Sequence, residues 1–189
     1  MSAENDKLSK LCDLFQDLTS TPTKEQLYDI YGKYLADFVS NPFEMDGMKI
    51  TVNKQKVNAG KIYDNFLSGK HETFCHIVSR GVDKSKKRNF DPKRANKIHW
   101  IKPILENRDN KKIRYFEELN STGQWCRFYW YKEKNYIVIL KEIRCDLLLV
   151  TGYCVDSSET ARFNQRWECY EASKNKGKKK PTSKVGTQL

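Results

Sequence analysis

The sequence predicts an α+β fold: N-terminal helices followed by a four-stranded antiparallel sheet, closed by a C-terminal helix. Three observations lead there. Apolar residues recur at three- and four-residue spacing up to about residue 105. From about residue 112 the spacing changes to two, the period of a strand with one buried face. The segments that interrupt the second pattern are only a few residues long, which suits antiparallel hairpins.

The elements follow in order. Leu8, Leu11, Phe15 and Leu18 predict an amphipathic helix over residues 4–18. Thr21-Pro22-Thr23 breaks it, and Thr23 with Gln26 fits the capping box of a second helix. Its apolar face is Leu27, Ile30, Tyr31, Tyr34 and Phe38, and Asn41-Pro42 ends the hairpin. Lys49–Val52 reads as a short strand, and residues 57–68 as a helix with Ala59, Ile62, Tyr63 and Phe66 on one face. Asp91-Pro92 is a helix start, an N-cap acid before a proline at the first helical position. Ile98, Ile101 and Leu105 then share a face, with Pro103 placed to interrupt it. Strands are expected over 112–119, 124–132, 135–143 and 146–155, and a last helix from about Ser158 that buries Phe163, Trp167 and Tyr170. Residues 1–40 thus read as a helical accessory, 41–172 as the principal domain and 173–189 as a disordered lysine-rich tail.

A chain of 22.3 kDa with 38% hydrophobic residues can bury a core without disulfides or metal. Its longest strongly apolar run, Leu147–Val150, is far too short to span a bilayer. No basic start followed by an apolar stretch opens the sequence. A cytoplasmic protein with six reduced cysteines is therefore expected, and the absence of any CxxC pair argues against a zinc ribbon. The net charge of +11 is unevenly placed. Residues 1–83 carry −2 and residues 103–172 are neutral, whereas residues 84–102 carry +7 and the last 17 residues hold six lysines and no acid. Such concentration resembles a phosphate-binding footprint.

No P-loop, nucleophile-elbow, HExxH or calcium-loop motif is present, which argues against nucleotide hydrolysis, serine hydrolysis and common metal enzymes. The spacing of His71, Cys75 and His76 matches no familiar zinc site, so no metal or cofactor is expected. Chemistry on RNA needs neither. A base can free the ribose 2′-hydroxyl to attack its own phosphodiester, a cation can stabilise the phosphorane, and an acid can protonate the leaving oxygen. His76, Arg80, Arg94, His99, Arg127, Thr151 and Tyr153 supply those types. Each also has a structural alternative. His76 beside Phe74 and Ile77 suits a core histidine, Arg94 a solvated helix charge, and Thr151 with Tyr153 an ordinary polar pair on one strand face. Trp100 reads as a core anchor. Trp125, Arg127, Tyr129 and Tyr131 alternate along one strand, either as a base-stacking surface or as a face covered by the N-terminal helices.

The stretch Phe74–Arg80, the block Phe90–Asn107 containing RANKIHWIKPILEN, and the strand LLLVTGY ending at Tyr153 carry a resemblance. Together they resemble phage- and mobile-element-associated members of the barnase–EndoU–colicin–RelE-like nuclease superfamily, over roughly residues 41–172. The resemblance implies a small helix-plus-sheet endoribonuclease that needs no metal and often acts as a toxin. His76 would match the family's histidine, Arg94 the arginine before the sheet, and Thr151 and Tyr153 the polar pair of the closing strand. Arg80, Lys87, Arg88, Lys97, His99, Arg127 and Tyr129 would contact RNA. Its partners would be RNA, tRNA among the candidates, and a cognate inhibitor or immunity protein, with no membrane. The alternative is a non-catalytic nucleic-acid- or partner-binding protein on the same fold.

Overall fold

The computed structural model describes residues 7–175 apart from 59, 61, 83 and 84; of the tail expected over 173–189, residues 173–175 continue the last helix and the rest lies outside the described residues. The architecture is α+β, built on a six-stranded mixed sheet rather than four antiparallel strands. The four expected strands are present as β5 (Ile113–Leu119), β6 (Trp125–Tyr131), β7 (Tyr136–Ile143) and β8 (Asp146–Cys154), paired in sequence order. Two more extend the sheet. The strand β2 (Met48–Thr51) pairs parallel to β8, and β1 (Glu44–Met45) pairs antiparallel to β2. Parallel pairing joins segments about 95 residues apart, and no local turn signal announces it.

Helices cover the sheet unequally. The capping box holds: Gln26 N donates to Thr23 Oγ1 and Thr23 N to Gln26 Oε1, opening α1 (Lys24–Leu35). Leu27, Ile30, Tyr34 and Phe38 bury into the main core. Of the first helix expected over 4–18, residues 4–6 lie outside the described residues, and no helix forms over the rest. Residues 7–18 form a strap with only a turn at its start, because other groups take its backbone polar atoms. Phe15 N donates to Asn96 Oδ1 at 2.7 Å, Asn96 Nδ2 to Phe15 O at 2.7 Å, and Trp100 Nε1 to Cys12 O at 2.8 Å. Leu8 is still fully buried, so its apolar spacing was real while its helix was not. Of the helix expected over 57–68, Ala59 lies outside the described residues, and the described ones form only one 3₁₀ turn at Asn65–Leu67, with Ile62 exposed.

The basic block forms three short pieces instead of one helix. Asp91 caps α3 (Pro92–Ala95) by accepting from Arg94 N, a 3₁₀ turn spans Ile98–Trp100, and α4 runs Ile101–Glu106. Pro103 lies in the first turn of α4, where its missing N–H costs least. Ile98, Trp100, Ile101 and Leu105 enter the main core, so Trp100 is the anchor its spacing suggested. On the other face α5 (Ser157–Asn175) packs Phe163 onto Phe116, Phe128 and Trp130, with Trp167 and Tyr170 half-buried beside them.

The strand β8 is the hinge of this arrangement. A β-bulge at Val150 leaves Leu149 opposite Leu140 but Thr151 opposite Ile139. Leu149 therefore joins the main core, while Thr151 and Tyr153 turn to the α5 side. Between them Gly152 meets α4: a Cβ there would lie 2.8 Å from Ile101 Cγ1 and 2.8 Å from Tyr136 Oη. Gly152→Ala should lower stability by about 1–3 kcal/mol through overpacking, and Ile101→Ala by about 2–5 kcal/mol through a cavity. The double variant should be more stable than the two losses added, since each relieves the other. Chemical denaturation of all four proteins checks this, and strict additivity would show that the contact is not shared.

Candidate active site

Beyond Leu148 the strand β8 pairs with β7 on one side only, since β2 reaches no further than Thr51. The short helix α2 (Glu72–Ile77), buried through Thr73, Phe74, Cys75 and Ile77, and the helix α3 pack against β8. Between them runs a two-stranded hairpin, β3 (Ser79–Gly81) with β4 (Arg88–Phe90). These four segments bring together residues from three parts of the chain.

Arginine organises the cluster. Arg94 Nη1 donates to Ser79 O at 3.1 Å, and Arg88 Nη2 donates to the same carbonyl at 2.8 Å. Arg88 also donates to His76 O at 3.1 Å and Ser79 Oγ at 3.1 Å, and has no ion pair among the described residues. The guanidinium of Arg94 lies 4.7 Å from the centre of the Tyr153 ring. Its Nε is buried with no hydrogen-bond partner, the nearest carboxylate being Asp91 at 3.7 Å. Asp91 is shared with the half-exposed Arg80, whose Nε reaches it at 3.0 Å and whose Nη1 reaches Asp156 at 3.3 Å. Arg80 and Arg94 thus share Asp91, while Arg88 has only the more distant charge of Glu72 to offset its burial. Thr151, only 6% exposed, presents a hydroxyl with no partner.

This environment separates the titrations of its acid–base groups. Burial first, and then the charges of Arg88 and Arg94, push the His76 imidazole down to about 4, so it is neutral at pH 7. Burial, reinforced by Glu159, raises the Tyr153 phenol, which keeps its proton. Arg94 is within electrostatic reach of both groups. Burial also lowers Arg94 itself, only partly offset by Asp91, and such a guanidinium gains most when an anion arrives.

The other expected RNA contacts divide. Lys87 is exposed near the tip of the β3–β4 hairpin, next to Arg88 in the chain. Arg127 and Tyr129 do not join the cluster. Arg127 pairs with Leu140 across the strands and faces the main core, the opposite side of the sheet from Thr151 and Tyr153. It is held by Glu142 at 2.8 Å and Asp46 at 2.8 Å. Tyr129 is 2% exposed and Tyr131 approaches Leu8 O, so the N-terminal strap and helices cover this face and leave no stacking platform for RNA. Lys97 pairs with Asp13 at 2.7 Å and lies over Trp100, and His99 is half-buried beside Trp100 with Nδ1 unpartnered. Both belong to the strap's seat. Ser79 and Asp91 were the residues the sequence did not single out for the site. The N-cap signal at Asp91 was visible, but its second use, as a counter-ion for two arginines, needed the fold.

Among the described residues no group of three His, Cys, Asp or Glu side chains could hold a metal ion. The six cysteines are free. No helix is long and apolar enough to cross a membrane. Comparison of the chain with family models, curated proteins and solved structures returns no match, so the chemistry rests on this geometry.

The His76 environment has a consequence for stability. In the unfolded chain a histidine takes up its proton near pH 6.5, but folded His76 does so only near pH 4. Between those values the unfolded state binds more protons, so stability falls as pH drops. Urea unfolding at pH 7 and pH 4.5 should show wild type losing about 2–3 kcal/mol more than His76→Asn over that interval. Equal losses would mean that His76 is not held neutral by its surroundings.

Proposed function

We propose that the protein is a metal-independent endoribonuclease that cleaves RNA by attack of a ribose 2′-hydroxyl on the adjacent phosphodiester. The observation that carries this reading is the convergence of Arg88 and Arg94 beside a neutral histidine and a protonated tyrosine. The resemblance over residues 41–172 points the same way and favours a toxin-like role, with tRNA among the candidate substrates and a cognate inhibitor as a partner.

Roles follow from protonation states. Neutral His76 takes the proton from the 2′-oxygen, which then bonds to phosphorus. Arg94 and Arg88 hold the phosphoryl oxygens as charge builds on them, and the unpartnered Thr151 hydroxyl orients one of them. As the bond to the 5′-oxygen breaks, Tyr153 gives that oxygen its proton, leaving a 2′,3′-cyclic phosphate. Arriving phosphate charge raises the His76 pKa and so strengthens it as a base. Arg80 and Lys87 would guide the strand toward the cluster, a salt-sensitive contribution.

His76→Ala and Tyr153→Phe should each reduce cleavage about a hundred- to ten-thousand-fold, while EDTA leaves wild-type activity intact. The double variant should lose much less than the product of the single losses if the two act as one unit. Because the base must be unprotonated, kcat/KM should rise with pH through about 4 and then stay level to neutrality. Gel assay of RNA cleavage with end-group analysis checks each point. Salt-sensitive RNA binding with no cleavage would instead establish the non-catalytic binding protein.

A further inference from the structure

The helix α3, which carries Arg94, is a single turn of four residues and is too short to hold its own orientation. Only Ala95 among the four is buried, and a methyl group in a core sets a distance but no angle. Directional bonds at the two ends must fix the turn. At its start Asp91 accepts from Arg94 N, and Asp91 N donates to Val78 O at 2.8 Å. At its end stands Asn96, 7% exposed, whose side-chain amide is given to the N-terminal strap. Asn96 Oδ1 takes Phe15 N and Asn96 Nδ2 donates to Phe15 O, while its backbone carbonyl takes Leu14 N at 3.1 Å. The ion pair of Lys97 with Asp13 lies next to this clamp.

Residues two apart on a helix point to nearly opposite sides. Arg94 accordingly reaches Ser79 O and the Tyr153 ring on one side of α3, and Asn96 reaches the strap on the other. The turn is thus held between the strap and the candidate site. Apolar packing contributes little to that hold. A groove of about 440 Å³ opens between the strap and α3, with Phe15 and Leu18 on one side and Pro92 and Lys93 on the other. The join therefore falls on the bonds of Asn96 and on the neighbouring ion pair.

An arginine magnifies any rotation of the turn it stands on, because its guanidinium lies at the end of a long side chain. Arg94 has little to correct such an error. It makes one hydrogen bond to Ser79 O, lies over Tyr153, and has no hydrogen-bond partner at Nε. A misplacement of about 1 Å in a group that meets the reacting atoms can cost a hundredfold in rate. We propose that Asn96 is the positioning residue for Arg94: by clamping the strap to the end of α3 it fixes the rotation of that turn, and so the angle at which the guanidinium meets a phosphoryl group. The role in cleavage rests on the nuclease reading, whereas the placement of Arg94 does not. The strap thereby becomes a working part of the site, although it touches none of His76, Arg94 or Tyr153 through a hydrogen bond or ion pair among the described residues.

Asn96→Ala in the full chain tests this, beside Arg94→Ala and the double variant. The first readout is the His76 titration followed by proton NMR, which needs no substrate. Burial and the charges of Arg88 and Arg94 hold it at about 4 in the wild type. Once Arg94 swings away, one of those charges no longer opposes the imidazolium, so Asn96→Ala should move the midpoint upward. Arg94→Ala should move it the same way, and the double variant no further than Arg94→Ala alone. The second readout is cleavage. Asn96→Ala should lower kcat/KM about ten- to a hundredfold and cost nothing more in the Arg94→Ala background. Phe15→Pro breaks the same clamp from the strap side by deleting the N–H that Asn96 accepts. It should shift His76 alike, and it decides the question should Asn96→Ala not fold, which melting curves reveal. A lowered melting temperature with the His76 midpoint unmoved would leave Asn96 a purely structural residue and overturn the proposal. A further upward shift on adding Asn96→Ala to Arg94→Ala would overturn it as well. If the wild type cleaves no RNA, the nuclease reading fails, and the titration still decides whether Asn96 places Arg94.

Discussion

At Gly152 the sheet and its helical layer touch with no room for a side chain, and the candidate site is arranged beside that contact. With hydrogen in place of a methyl group, β8 lies directly against Ile101 and under the Tyr136 hydroxyl. That hydroxyl also donates to Lys97 O at 3.2 Å, tying the basic block to the sheet. The approach brings α3 close enough for the guanidinium of Arg94 to lie over Tyr153. A wider gap would leave the arginine in water and the tyrosine exposed. Packing at a glycine therefore decides an electrostatic arrangement on the neighbouring residue.

That arrangement is costly to hold. Arg88 and Arg94 share one backbone carbonyl, and both are only partly compensated by carboxylates. Buried guanidiniums without full pairing destabilise a fold, and the neutral His76 beside them is a second sign of the same strain. Asp91 contains it by serving three partners, the α3 backbone, Arg80 and Arg94. The N-terminal strap helps from the far side, where Asp13 takes Lys97 out of the pool of like charges. A phosphate entering beside Arg94 would relieve what the protein alone leaves unbalanced.

Local signals that name their own partner were legible in the sequence. The four strands of the second half appear within a residue or two of their expected bounds, because alternation and short turns are enforced by neighbours in the chain. The caps at Thr23 and Asp91 also form as read. Two expected helices do not. Leu8 buries as its spacing suggests, yet the backbone after it is bound by Asn96 and Trp100, more than 80 residues away. The short strand read at Lys49–Val52 forms as β2, but its place beside β8 arises from distant pairing. Of the site residues, His76, Arg94, Thr151 and Tyr153 lie on segments that meet, whereas Arg127 and Tyr129 sit on the opposite face of the sheet.

By itself the sequence determined the α+β class, the four strands of the second half, the positions of the caps and the concentration of positive charge in one internal block and the tail. All of these depend on residue type, period and spacing along the chain. Only the tertiary structure decided which charges are spent and which remain free. Arg127 and Arg94 are alike in sequence terms, but Glu142 and Asp46 close around the first, while the second keeps a buried nitrogen without a partner. Pairing of that kind falls off within a few ångströms and is blind to separation along the chain, so no reading of neighbours in the sequence can supply it.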